Sequence, residues 1–323
     1  MSVILGSGDF RYMVTEGWGE LPDGWSYGDV AAVGVDRKDR VYVFNRGAHP
    51  VIVYDQDGRF LRSWGEGLFA RPHGLHMGPD DTIFLTDDGD HTIRQCTLDG
   101  KVVLTIGIPM RPSPYMSGEP FHRCTHTAHA PNGDIYVSDG YGNACCHKFS
   151  PSGKHLMSWG ESGSDPGQFN IVHNICCDAE GWVYVADREN HRIQVFDANG
   201  RYETQWNNLH RPCGLYMPPG KQQLCYVGEL GPSLPVNKNA PNLGPRVTIV
   251  DSRGATVVRL GHLHAGEAPG QFIAPHGVAV DSHGDIYVAE VSNAVWPSIK
   301  PPLEPPRELR CLQKLTRLAS APA

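Results

Sequence analysis

Three histidines sit in one recurring local context: Arg71-Pro72-His73-Gly74-Leu75, Ile171-Val172-His173-Asn174-Ile175 and Ala274-Pro275-His276-Gly277-Val278. A fourth copy, Arg211-Pro212-Cys213-Gly214-Leu215, carries a thiol at the same place. Three neutral imidazoles, with one position left open to water or substrate, make the ligand set of a catalytic zinc. Iron, manganese or cobalt accept similar ligands. A residue that recurs with a repeat can also be a structural signature. Ala31 and Thr125 fall at the corresponding place in two further copies, so the fold does not demand histidine there. The expectation is a metal site of His73, His173 and His276, provided the chain brings them to one point.

The chain must therefore be a repeat that converges on an axis. Gln168 to Phe196 reads as one module: a buried turn carrying His173, a strand Trp182 to Ala186, a polar turn Asp187 to Asn190, and a strand Arg192 to Phe196. Segments 30–66, 72–107, 124–161, 169–206, 212–261 and 275–318 follow the same plan. Val41-Tyr42-Val43-Phe44, Ile135-Tyr136-Val137 and Ile286-Tyr287-Val288 are β-branched and aromatic runs bounded by Asp, Asn and Gly turns. Modules of about 40 residues with four short strands each mark propeller blades. The fold expected is all-β, a six-bladed propeller in a single domain over 1–323. The sixth module has an irregular insert, Ser298 to Glu308, then a last strand, Leu309 to Leu318, and is one strand short. Arg11 to Gly19 resembles the closing strands of other modules and would complete that blade, removing exposed sheet edges. No long amphipathic helix is expected.

Composition fits this reading. Gly 37 and Pro 26 without a collagen period favour many short strands joined by turns. The net charge of −7 gives no electrostatic reason to expect nucleic acid or an anionic membrane as partner. No apolar run approaches the roughly 20 residues needed to span a bilayer. The opening MSVILGSGDFRYM lacks a basic stretch followed by an apolar core, so no signal peptide is expected. The nine cysteines, an odd number with two adjacent pairs, make a poor disulfide framework. Without a CxxC, a thiolate zinc cluster is not expected either, and the cysteines read as small apolar strand residues.

Gly28-Asp29-Val30, Phe44-Asn45-Arg46-Gly47, Pro72-His73-Gly74-Leu75 and Ser138-Asp139-Gly140-Tyr141 carry a more specific likeness. Phe149 to Lys154, Ala186-Asp187-Arg188-Glu189-Asn190 and Pro275-His276 extend it over nearly the whole chain in the same order. The chain resembles an NHL-repeat six-bladed propeller and, within that group, the peptidyl-α-hydroxyglycine α-amidating lyase family. The resemblance implies a zinc ion on His73, His173 and His276, a catalytic tyrosine at Tyr141, a substrate-binding arginine at Arg46 and a second arginine near the site at Arg188. It further implies cleavage of the N–C bond of an α-hydroxyglycine-type substrate to an amide and glyoxylate. Zinc would polarise the carbinol hydroxyl, Tyr141 would take its proton, and Arg46 would pair with the substrate carboxylate.

Departures from the family pattern carry expectations of their own. The family's structural calcium uses a carboxylate directly after the last histidine; Gly277 stands there, which argues against calcium, although backbone carbonyls near Val33 and Leu75 remain available. The positions of the family's disulfides are His122 with Gly142 and Tyr184 with Val195, and none is a cysteine. That fits a reducing compartment and a cytoplasmic protein. His126 and His129 also depart from the pattern, as added ligands or as residues reshaping the pocket. The insert Gly231 to Pro245 and the segment 301–306 are candidates to cover one face of the channel. Two other readings remain: a metal-dependent hydrolase or lactonase on the same propeller, which generally relies on acidic ligands, and a non-catalytic NHL interaction module. The expected partner is a small molecule bearing a carboxylate.

Overall fold

In a computed structural model of the chain, which describes residues 2–219, 223–238, 240–299 and 308–319, six antiparallel sheets stand around an axis as a six-bladed propeller. Blade 1 is built from Val30–Val35, Val41–Asn45, Val51–Tyr54 and Phe60–Trp64, running from the axis outward. Blades 2 to 5 repeat this order, with innermost strands Pro72–Gly78, Cys124–His129, Val172–Cys177 and Pro212–Tyr216. Blade 6 begins with Pro275–Val280 and Ile286–Glu290. The innermost strands touch their neighbours around the ring, and Pro275–Val280 meets Val30–Val35 to close it.

Closure uses the N-terminus. Phe10–Thr15 pairs antiparallel with Leu312–Arg317, Tyr12 facing Arg317 and Thr15 facing Lys314. A further strand, Ile4–Ser7, adds to the edge, so blade 6 has five strands rather than the four expected. The last strand is shorter than the sequence suggests, and an α-helix, Ser292–Ile299, precedes and just enters the expected irregular insert; its Trp296 packs into the cluster holding Ala31 and Cys213. Segment 301–306 lies outside the described residues.

Each module folds for a local reason. Where the first strand turns into the second, an aspartate binds the turn and a tyrosine beyond it. Asp178 accepts from the backbone N–H of Glu180 (3.0 Å) and Trp182 (2.8 Å) and from the Tyr184 hydroxyl (2.8 Å). Asp36 with Tyr42, and Asp281 with Tyr287, repeat the device. The second strands are buried on both faces, as in Val-Tyr-Val-Phe-Asn of blade 1. Their side chains fill the gaps between blades: Tyr136 and Cys146 of blade 3 pack with Ile175, Val183 and Val185 of blade 4. Among the described residues no helix is long and apolar enough to cross a membrane.

Candidate metal centre on the propeller axis

All six innermost strands carry the same irregularity. The pairing with the second strand slips between Val30 and Ala32, Pro72 and Gly74, Cys124 and His126, Val172 and Asn174, Pro212 and Gly214, and Pro275 and Gly277. The skipped residues are Ala31, His73, Thr125, His173, Cys213 and His276. A bulge re-aims its side chain, and here it turns one residue per blade toward the axis. The histidines therefore sit inside the strands, one residue from their start, and not in a preceding turn as the sequence suggests. After the bulge, a glycine lets neighbouring backbones approach closely: a Cβ on Gly74 would stand 2.4 Å from the Thr125 oxygen.

Histidine occupies blades 2, 4 and 6, and the alternate blades orient it. His73 Nδ1–H donates to Thr125 O (2.8 Å), His173 Nδ1–H to Cys213 O (2.9 Å) and His276 Nδ1–H to Ala31 O (2.6 Å). The three residues that lack histidine thus supply the carbonyls that fix the tautomer of the three that have it, leaving each Nε2 lone pair free toward the axis. Ring centroids are 5.0, 4.7 and 4.7 Å apart, nearly an equilateral triangle. The rings are buried, with 1–5% exposure. Desolvation holds all three well below the ordinary histidine range; the other two histidines and then Arg46 add to it at His73, Arg188 and His276 at His173, and Arg46 and Arg188 at His276. Neutral imidazole is the form that binds metal.

Tyr141 lies over this triangle. Its hydroxyl is 3.1 Å from His73 Nε2 and 3.0 Å from His173 Nε2. One hydroxyl proton cannot satisfy two acceptors, and among the described residues His276 Nε2 has no hydrogen bond, so the lone pairs outnumber the protons. That donor set fits a divalent cation. Arg188 Nη1 reaches the Tyr141 hydroxyl at 3.4 Å and its Nε is held by Glu189 (2.8 Å). Arg188 belongs to a single 3-10 turn, Arg188–Asn190, where the sequence predicts a plain polar turn. Arg46 donates to Pro72 O (2.8 Å) and is 3.9 Å from Asp29. Burial and Arg71 lower its pKa, against Asp88, Tyr141 and Asp29.

Sequence reasoning missed Arg123, whose guanidinium carbon is 4.8 Å from the Tyr141 ring centroid. Asp88, fully buried, ties Arg123 (2.6 Å) and Arg71 (2.5 Å) together beside the site. The recurrence of arginine directly before the inner strand, at 71, 123 and 211, was the available signal. His126 and His129 are not added ligands of this triad. His126 Nε2 lies 3.1 Å from Leu75 O, and both line a cavity of about 590 Å³ that reaches the axial histidines from the side away from Tyr141.

An NHL repeat profile matches residues 169–196 and 272–294. Over 298 residues the chain is 30% identical to NHL repeat-containing protein 3 of Homo sapiens, covering 87% of this chain and 81% of that protein. It is 33% identical over 253 residues to peptidyl-alpha-hydroxyglycine alpha-amidating lyase 1 of Drosophila melanogaster, covering 73% of this chain and 45% of the lyase. The chain thus spans under half the length of that relative. A streptogramin B lyase structure superposes with a TM-score of 0.59 at 14% identity, over 91% of this chain and 95% of that one, a likeness of fold.

Proposed function

The chain belongs to the NHL-repeat propeller family, and from that premise we propose that its axis holds a divalent metal, zinc by preference, in a carbon–nitrogen lyase site. The substrate is an α-hydroxyglycine-type molecule bearing a carboxylate, cleaved to an amide and glyoxylate. The observation that carries this reading is the convergence of three tautomer-fixed Nε2 atoms beneath one tyrosine hydroxyl. His73, His173 and His276 would hold the ion, which when bound supplies Lewis acidity toward the substrate's hydroxyl oxygen.

The rest falls to the chain's own side chains. Tyr141 takes the proton from the substrate hydroxyl, with Arg188 Nη1 at 3.4 Å to stabilise the phenolate. The O–H electron pair forms the carbonyl of glyoxylate as the C–N bond breaks, and Tyr141 returns the proton it took to the leaving amide nitrogen. Arg46, its Nε anchored on Pro72 O, pairs with the carboxylate. Exposed Ile108, Met110, Tyr115 and Met116 lie on the loop before blade 3, where Met116 N–H donates to Gly142 O beside Tyr141, and offer an apolar rim for the acyl side.

A structural calcium does not fit these residues. A Cβ on Gly277 would stand 2.9 Å from Ala32 Cα, and the Leu75 carbonyl already accepts from His126. The six axial positions hold no carboxylate, which favours the lyase over a hydrolase or lactonase with acidic ligands. All nine cysteines are unpaired, which suits a reducing, cytoplasmic setting. The test is metal analysis of wild type beside His173→Ala, with α-hydroxyhippurate turnover followed as glyoxylate. The expected result is loss of one metal equivalent and more than about 100-fold of the activity. Unchanged turnover in the variant, or none from zinc-loaded wild type, overturns the reading.

A further inference from the structure

Each blade from 2 to 6 buries a carboxylate at the end of its second strand: Asp87, Asp139, Asp187, Glu229 and Glu290, all without solvent exposure. The fourth and fifth blades neutralise it with the residue directly opposite on the third strand. Arg192 faces Asp187 in the pairing and meets it at 2.7 Å; Arg246 faces Glu229 and meets it at 2.7 Å. In blade 6, Arg310 approaches Glu290 at 3.7 Å. Blade 2 encloses Asp87 in the backbone N–H groups of Ala70, Arg71, Gly89 and Asp90. Among the described residues, blade 3 sets no arginine and a single backbone N–H, that of His122, on Asp139. Cys145 stands opposite Asp139 where the arginine would be, and His147 follows two residues on. Among the described residues no arginine or lysine pairs with Asp139.

We propose that Asp139, Cys145 and His147 form a second, buried transition-metal site, of the zinc class, independent of the axial one. One ligand atom from each residue lies within 4.8 Å of the others. His147 Nε2 is 3.2 Å from Asp139 Oδ2 and 3.5 Å from Cys145 Sγ. Tetrahedral zinc with ordinary bond lengths places such ligand atoms about 3.4 and 3.6 Å apart. His147 Nδ1 is 2.7 Å from Ser158 Oγ, the outer partner a metal-bound imidazole needs, and Ser158 Oγ is also 2.9 Å from His155 Nε2. Where Nδ1–H donates there, the Nε2 lone pair faces a carboxylate oxygen, and a cation between them would satisfy both. A divalent ion would release the Cys145 proton, and with one thiolate, one carboxylate and a neutral imidazole the site would carry no net charge. Neutrality matters because exposure is 0% at Asp139 and His147 and 2% at Cys145. Asp139 Oδ2 is further held by Asn143 Nδ2 (2.8 Å) and the His122 N–H (2.9 Å). The ligands come from two strands of one hairpin, so no CxxC spacing could announce them.

The test uses the full chain stripped with chelator and titrated with Co²⁺, reading bound equivalents and the thiolate-to-cobalt charge-transfer absorption. Wild type and Cys213→Ser should show the thiolate band, Cys213 being the thiol beside the axial histidines. Cys145→Ser should lose the band and one equivalent. A band that survives in Cys145→Ser, or one that vanishes with Cys213→Ser, overturns the site. If Cys145→Ser does not fold, X-ray absorption of zinc-loaded Cys213→Ser decides: a sulfur shell at about 2.3 Å supports the site, and a nitrogen–oxygen shell alone refutes it in favour of a hydrogen-bonded triad. Neither readout involves turnover, so failure here leaves the axial lyase reading untouched, and the reverse holds.

Discussion

The two ends of the channel hold histidines in equal number and use them in opposite ways. At the Tyr141 end, His73, His173 and His276 each tie Nδ1 to a carbonyl of the next blade and turn Nε2 inward. At the other end, His126 uses Nε2 on Leu75 O and leaves Nδ1 buried without a partner, as does His129. There His76 stacks on His129 with centroids 4.9 Å apart, so the rings lie along one another and do not converge. A metal site is made by the groups that orient imidazoles and not by their number. The blade alternation supplies those groups at one end only.

Substitutions at the two ends should therefore separate cleanly. Tyr141→Phe removes the hydroxyl over the triangle and should lower kcat by about 10²–10⁴ while the axial metal stays bound. Retained activity would dismiss the tyrosine as base. Arg46→Lys keeps the charge but loses the planar fork, and should cost about 10-fold to 100-fold in kcat/KM, chiefly through KM. A matching loss from His129→Gln in the opposite chamber would erase the distinction, since that variant should keep the axial metal and turn over within about twofold of wild type. Gly277→Asp restores a carboxylate after the last histidine. It should destabilise by about 1–3 kcal/mol in a thermal melt, with no rescue by Ca²⁺, because the Cβ presses on Ala32. Calcium-dependent recovery would show that the backbone yields and the cation site survives.

How far the site was legible from sequence follows from the same geometry. The strand runs and Asp/Gly turns are local signals, and the propeller can be read from Val41 to Phe44 or Ile286 to Val288 without any contact information. His73, His173 and His276 stand out because their flanking residues repeat. The carbonyls of Ala31, Thr125 and Cys213 that orient them carry no side-chain signature, so their role became visible only with the backbone in place. Arg123 was hidden because its role depends on a turn that brings it over Tyr141 from the edge of another strand. The helix Ser292–Ile299 was missed because Pro297 reads as a breaker although it stands near the helix end.

The acid side of the stability profile gives the smallest and most discriminating effect. Burial lowers His126 and His129 from an ordinary 6.5 to about 4. Between those values the unfolded chain binds protons that the folded chain refuses, so stability is full above pH 6.5 and falls as the pH drops toward 4. Each such residue contributes a slope of at most about 1.4 kcal/mol per pH unit. His129→Gln removes one titrating group whose Nδ1 has no partner to lose. Urea midpoints taken between pH 7 and 4.5 should fall less steeply in the variant, with the two curves diverging as the solution is acidified. Parallel curves would mean that His129 protonates freely in the folded chamber. The lower end would then be wet and cationic in acid, and its contrast with the sealed, neutral axial triad would be one of orientation alone.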